Sequence, residues 1–124
     1  MAAPGYTQGE VLLAFLVFSD GQGAKRRPVL VVRDFGDADL LVTPVTSHPV
    51  RSTADVTLAD WQQAGLKLPS TVRAGKLGTI AKFCVARKLG ELSPADLAKF
   101  RQALTTVFEQ ILPGAAGRGQ AVSS

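Results

Sequence analysis

The run Val29–Val32 is apolar at every position, and it follows directly on three cations and a proline, Lys25-Arg26-Arg27-Pro28. Side chains alternate sides along a strand, so an unbroken apolar run suits a strand covered on both faces. Pro28 lacks an N–H and fits the first position of such a strand. Upstream, Glu10–Phe18 (EVLLAFLVF) also lacks alternation and is rich in valine and phenylalanine, so it reads as a second strand apolar on both faces. Asp20, Gly21 and Gly23 lie between the two and supply the backbone angles of a tight reversal. A hairpin of this kind needs a sheet with both of its faces covered.

The rest of the chain extends that sheet. Asp34–Asp39 is a turn pivoting on Gly36, and Leu40–Thr46 is a third strand whose Pro44 marks an edge or a bulge. Short turns between successive strands give an antiparallel meander. Ser47–Thr53 is a polar loop, Val56–Leu58 a short strand, and Asp60 is placed to cap a brief helix Trp61–Ala64 that Gly65 ends. Thr71–Arg73 and Leu77–Phe83 read as further strands, with Val85–Leu89 continuing the sheet as far as Gly90. The clearest local signal is Leu92–Leu112. Ser93 is an N-cap, Pro94 the first helical residue, Asp96 stands three after the cap, and Leu92 with Leu97 forms a hydrophobic staple. Leu97, Phe100, Leu104, Val107 and Ile111 then make one apolar stripe, stopped by Pro113-Gly114. The predicted fold is mainly β, a small barrel-like sheet with a short internal helix and a C-terminal helix. Residues 1–8 form a mostly unanchored lead with Tyr6 packing down, residues 9–112 the domain, and residues 113–124 a disordered tail.

Composition narrows the chemistry. The 124 residues suit one domain with a real core. A net charge of +4 suits a polyanionic partner without proving one. With one cysteine, Cys84, and one histidine, His48, neither an internal disulfide nor a zinc site of the usual ligands is available. No basic-plus-apolar leader opens the chain and Val11–Phe18 is too short to span a bilayer, so a cytoplasmic protein without membrane contact is expected.

Three polar clusters fall at predicted strand ends: Lys25-Arg26-Arg27, Thr46-Ser47, and Arg73 near Lys76. Guanidinium forks match phosphate oxygens, hydroxyls donate to the same group, and both stabilise the charge that develops on a five-coordinate phosphorus. No carboxylate cluster suggests a divalent ion, so phosphodiester chemistry here is expected to be metal-independent and without cofactor. RNA fits best, because its 2′-OH is an internal nucleophile. Each cluster also has an ordinary reading. Arg26 is a solvated cation, Thr46-Ser47 satisfies turn backbone, Arg73 is an edge-strand cation, and Cys84 is an apolar filler.

Read in order, Gly9-Glu10-Val11, Ser19-Asp20-Gly21, Lys25-Arg26-Arg27-Pro28-Val29-Leu30-Val31-Val32, Pro44-Val45-Thr46-Ser47, Gly65-Leu66, Pro69-Ser70-Thr71-Val72-Arg73, Lys76-Leu77 and Leu89-Gly90-Glu91-Leu92 resemble the PemK/MazF family, toxins of type II toxin–antitoxin systems, on the PemK-like branch. The resemblance spans Gly9–Leu112 and implies an SH3-like β-barrel with a terminal helix. It also implies a homodimer that cuts single-stranded RNA without metal, leaving 2′,3′-cyclic phosphate and 5′-OH ends, and a cognate antitoxin that blocks the RNA groove. It implies phosphate and proton-transfer roles for Arg27 and Arg73 and an orienting role for Thr46. Ser47, Lys25, Arg26 and Lys76 become substrate-binding residues.

One position departs from the pattern. The PemK-type base is an aspartate two residues after the second arginine, and Gly75 stands there. The acidic residue that some MazF relatives carry in the first loop aligns near Gln22. Asp20 and His48 are the remaining proton acceptors to consider, with Glu10 the other carboxylate in that half. Three readings follow: an RNA-cleaving toxin, a binding module on the same barrel that has lost its base, and a CcdB-like gyrase inhibitor, against which the RRP and PSTVR matches count.

Overall fold

The computed structural model describes residues 5–17 and 24–114. The turn expected at Asp20–Gly23 and the tail Ala115–Ser124 lie outside the described residues. The elements are β1 (Glu10–Val17), β2 (Ala24–Arg33), β3 (Asp39–Thr46), β4 (Asp55–Thr57), β5 (Thr71–Arg73), β6 (Gly78–Ala81), a 3-10 turn Lys82–Cys84, β7 (Val85–Glu91) and α1 (Pro94–Ile111). Each strand pairing is antiparallel, in the order β4-β5-β3-β2-β1-β7, with β6 also on β3. The sheet curls without closing its ladder. The 3-10 turn carries the chain from β6, on one side of the meander, to β7 on the other.

Both faces of the β1–β2–β3 meander are covered, as the unbroken apolar runs require. Val11, Leu30, Val32 and Val45 join Val56, Val72, Phe100, Leu104 and Val107 in one core under α1. Their strand neighbours Leu12, Ala14, Val29, Val31, Leu40 and Val42 form a second core on the opposite face. Two cores on one sheet explain why neither strand alternates with polar residues.

Several boundaries differ from the expectations. β2 begins at Ala24, so the basic triplet lies within the strand and Pro28 is internal, opposite Leu13. Among the described residues the outer part of this hairpin is a two-stranded ribbon: β3 joins β2 only from Val29, and β7 joins β1 only up to Ala14. Pro44 stays inside β3, opposite Val29, where the strand's other neighbour changes from β6 (up to Val42) to β5 (from Val45). Its missing N–H interrupts no ladder on that side. The run Leu77–Phe83 is split into β6 and the 3-10 turn, which leaves Phe83 90% exposed.

The helix expected at Trp61–Ala64 is a single turn. The Leu66 N–H donates to Trp61 O and the Gly65 N–H to Gln62 O, with Gly65 at φ +83°, a Schellman closure without a helix long enough to propagate. This turn abuts the end of β7 backbone to backbone. A Cβ on Gly65 would enter the Leu89 carbonyl, and one on Gly90 would lie 2.6 Å from the Ala64 carbonyl carbon.

α1 starts as predicted, with the Asp96 N–H donating to Ser93 Oγ at 3.2 Å. The Asp96 carboxylate, fully buried, turns away from the cap and accepts from the N–H groups of Ala59 (3.0 Å) and Asp60 (2.8 Å). Burial pushes this carboxyl up, but those two hydrogen bonds and Lys99 Nζ, at 3.1 Å, outweigh it and hold the group below its ordinary value. Asp96 thus fixes the chain entering the 60–66 turn. The far end of the stripe runs off the core: Ile111 is 57% exposed. Within the lead, Tyr6 and Gln8 are tied down. The Tyr6 N–H donates to Asp34 Oδ2, Gln8 Nε2 to Val32 O, and Arg101 Nε to Gln8 Oε1. Among the described residues no helix is long and apolar enough to cross a membrane.

Candidate functional site

The hairpin of β1 and β2 at Leu16, Arg27 and Pro28, the ends of β3 and β5, and three loops enclose a cleft of about 620 Å³. Pro28, Pro44 and Val45 form part of an apolar floor, and Arg27, Thr46, Ser47, His48, Arg73 and Lys76 all line it. These are residues that the sequence places far apart and that the strand ends bring together.

The basic triplet divides by strand alternation. Arg26 stands opposite Phe15, and its guanidinium lies 5.1 Å over that ring, a cation–π pair on the ribbon rather than in the cleft. Arg27, the next residue, points to the other face and lines the cleft opposite Ala14 in register. Lys25 is exposed, opposite Leu16, and does not line the cleft. Asp20 lies outside the described residues.

Thr46 ends β3 opposite Thr71. Its Oγ1 accepts the His48 N–H at 3.1 Å, the turn-satisfying role expected of such a hydroxyl. Accepting leaves the hydroxyl proton available to donate. Arg73 ends β5 directly opposite Asp55 on β4. The Lys76 N–H then donates to Arg73 O at 3.0 Å, a tight turn that returns Lys76 to the same cleft. Gly75 lies between them, exposed, with only Ala54 Cβ, at 3.4 Å, near the position of a Cβ.

Two lining cations were not singled out in the sequence, Arg51 and Lys67. Both sit in polar loops, where a cation carries no local mark of the cleft it faces. Ser70 also lines the cleft, but its hydroxyl donates to Leu68 O at 2.7 Å and closes the 66–70 loop. Cys84 and its 3-10 turn lie elsewhere.

The electrostatics are one-sided. Among the described residues the lining holds Arg27, Arg51, Lys67, Arg73 and Lys76, one imidazole and hydroxyls, with no carboxylate. Among the described residues, Arg51, Lys67, Arg73 and Lys76 make no ion pair. Asp55 lies just outside. Burial pushes its carboxyl up, but hydrogen bonds from Arg51 N–H and Ser52, with the Arg73 charge between them in strength, hold it below the ordinary value. Among the described residues no group of three or more His, Cys, Asp or Glu side chains could hold a metal ion. Converging cations beside hydroxyl donors suit a phosphate backbone.

An antiparallel sheet with one terminal helix and a cation-lined cleft defines a small, mainly β protein. The chain belongs to the family of PemK-like, MazF-like toxins of type II toxin–antitoxin systems, whose family model matches residues 7–108. That is the family to which the order of motifs pointed. Comparison with curated proteins gives no significant match. Among solved structures, an endoribonuclease in complex with its cognate antitoxin from a mycobacterial species is 26% identical with a TM-score of 0.69, over 88% of this chain and 98% of that one. The Mycobacterium tuberculosis toxin MazF-mt6 is 23% identical with a TM-score of 0.67, over 81% and 96%. A MazE-MazF structure from Deinococcus radiodurans is 24% identical with a TM-score of 0.60, over 82% and 91%.

Proposed function

We propose that this toxin is a metal-independent endoribonuclease that cuts single-stranded RNA within the cleft. The observation that carries the reading is the convergence of Arg27, Arg73, Thr46 and Ser47 on one cleft lined by several cations. In the proposed step the 2′-OH attacks the adjacent phosphorus. The O2′–P bond forms and the P–O5′ bond breaks, leaving a 2′,3′-cyclic phosphate and a 5′-OH. O2′ loses a proton to a base and O5′ gains one. Arg27 and Arg73 bind the non-bridging oxygens and stabilise the added charge. Thr46 donates its hydroxyl proton to the same phosphate while its oxygen stays on the His48 N–H. The chain works as a homodimer whose joint surface carries the RNA, and a cognate antitoxin covers that surface. Two of the structural neighbours were solved as toxin–antitoxin complexes, which supports the antitoxin.

A second reading has its own observation. Among the described residues no carboxylate lines the cleft, and Gly75 stands where the PemK-type base would be. Of the proton acceptors considered from the sequence, His48 lines the cleft and Asp20 lies outside the described residues. The same barrel then binds RNA or antitoxin and turns over slowly or not at all. Incubating the protein with single-stranded RNA and a chelator, and mapping the ends formed, separates the two.

A further inference from the structure

Arg51 belongs to a loop that the structure builds with unusual care for a polar surface segment. Its N–H donates to Asp55 Oδ2 at 2.8 Å, and the Ser52 N–H donates to the same oxygen at 3.3 Å. Ser52 Oγ donates to Asp55 Oδ1 at 3.3 Å and accepts the Ala54 N–H at 3.3 Å, while the Asp55 N–H returns to Ser52 O at 3.1 Å. One carboxylate therefore closes the whole turn from Arg51 to Asp55. The bonds to Arg51 use its backbone, so the guanidinium is left to the cleft that it lines. Asp55 also stands opposite Arg73 in the β4–β5 ladder, with Val56 opposite Val72 and Thr57 opposite Thr71. Backbone pairing thus fixes the turn against the strand that carries Arg73, and the Asp55 side chain fixes Arg51 against the turn.

We propose that Arg51 is a further phosphate-binding residue of the cleft and that Asp55 is the positioning residue that delivers it. The inference rests on the nucleic-acid reading of the cleft. Arg51 and Arg73 then hold neighbouring phosphates of a strand, or two oxygens of one phosphate. Asp55 does not touch the nucleic acid. Its charge is spent on the turn's N–H groups and the Ser52 hydroxyl, at a place that does not line the cleft.

The test is binding of a mixed-sequence 2′-O-methyl oligoribonucleotide, which lacks the nucleophile and reports affinity apart from cleavage. Arg51→Gln leaves the turn's backbone bonds intact. It is expected to weaken binding about tenfold at moderate salt and to lower the slope of log affinity against log salt by about 0.7, one single-strand contact. Asp55→Ala, which frees the turn, is expected to give a similar loss, and the two together a loss less than twofold greater than either alone. Asp55→Asn keeps an oxygen acceptor for the Arg51 N–H and restores most of the affinity. Unchanged affinity and salt slope in Arg51→Gln, or losses that multiply in the double variant, would overturn the proposal. Arg51→Gln decides the matter even where Asp55→Ala does not fold. A wild-type protein that binds the oligonucleotide but cuts no RNA removes the nuclease reading and leaves this one standing. A wild-type protein that does not bind removes both.

Discussion

Lys82 Nζ lies 2.9 Å from Asp34 Oδ1, with the two side chains only 7% and 8% exposed. The pair joins the 3-10 turn that links β6 to β7 with the turn that follows β2. The Lys82 N–H donates to Ala38 O across the same gap, and Asp34 also accepts from the N–H groups of Gly36 and Tyr6. Lys82 first, then Gly36 and Tyr6, hold the Asp34 carboxyl at about 2, below its ordinary 3.8. A carboxyl whose folded value is lowered stabilises the fold above its unfolded value and loses that contribution as it is protonated. Thermal melts are therefore expected to be flat in this respect above about pH 4 and to fall as pH drops from 3.8 towards 2. Lys82→Met should melt lower at neutral pH and lose part of the acid-dependent fall. An unchanged acid profile in Lys82→Met would show that the pair does not link those turns.

Gly65→Ala is expected to cost about 3 kcal/mol or more, because it combines a left-handed backbone with a Cβ driven into the Leu89 carbonyl. Gly75→Ala, whose Cβ meets only Ala54 at 3.4 Å, should cost no more than about 0.5 kcal/mol. Urea unfolding of the two variants measures the contrast, and equal midpoints would contradict the backbone contact between the 60–66 turn and β7.

The open space at Gly75 makes a gain of function testable. Gly75→Asp adds a carboxylate two residues after Arg73, in a backbone conformation without positive φ. Its fold should be unperturbed, and its cleavage rate should rise by about tenfold or more, in the range of a positioned general base. The pH–rate profile of the variant should gain an acidic limb. A rate at or below wild type would show that another group already supplies the base.

Thr46→Val removes the hydroxyl that both accepts the His48 N–H and faces the cleft. The lost hydrogen bond should cost about 1 kcal/mol of stability, whereas cleavage should fall about 100-fold. Thr46→Ser should recover most of both. If Thr46→Val lowers stability but cuts normally, the hydroxyl serves the turn alone.

Much of this was legible in the chain. The β1–β2–β3 meander follows from apolar runs without alternation, and α1 follows from Ser93, Pro94 and the stripe to Val107. Thr46 and Arg73 were readable because each ends a strand with a distinctive local sequence, and Arg27 because it directly precedes Pro28 and the apolar run. Other features depended on contacts no window contains. Ribbon alternation, not composition, takes Arg26 onto Phe15 and leaves Arg27 in the cleft. Asp96 reads as half of a capping box, yet its carboxylate reaches 36 and 37 residues back to Asp60 and Ala59. Arg51 and Lys67 enter the cleft on loops closed by short-range bonds, Asp55 to the Arg51 N–H and Ser70 to Leu68 O, but nothing local says that those loops face Arg27 and Arg73. The apolar content of Leu77–Phe83 suggested one strand, but the chain must leave β3 there and cross to β1, and the 3-10 turn makes that crossing.

The central claim is that the cation-lined cleft cuts RNA with Arg27 at the phosphate. The most direct measurement is end mapping on a mixed pool of single-stranded transcripts, incubated with chelator and either the wild-type protein or Arg27→Ala. The wild-type protein should produce new 5′-OH and 2′,3′-cyclic phosphate ends. Arg27→Ala, with folding checked by its thermal melt, should produce them at least about 100-fold more slowly. Intact transcripts after long incubation with folded wild-type protein, or equal cutting by Arg27→Ala, would contradict it.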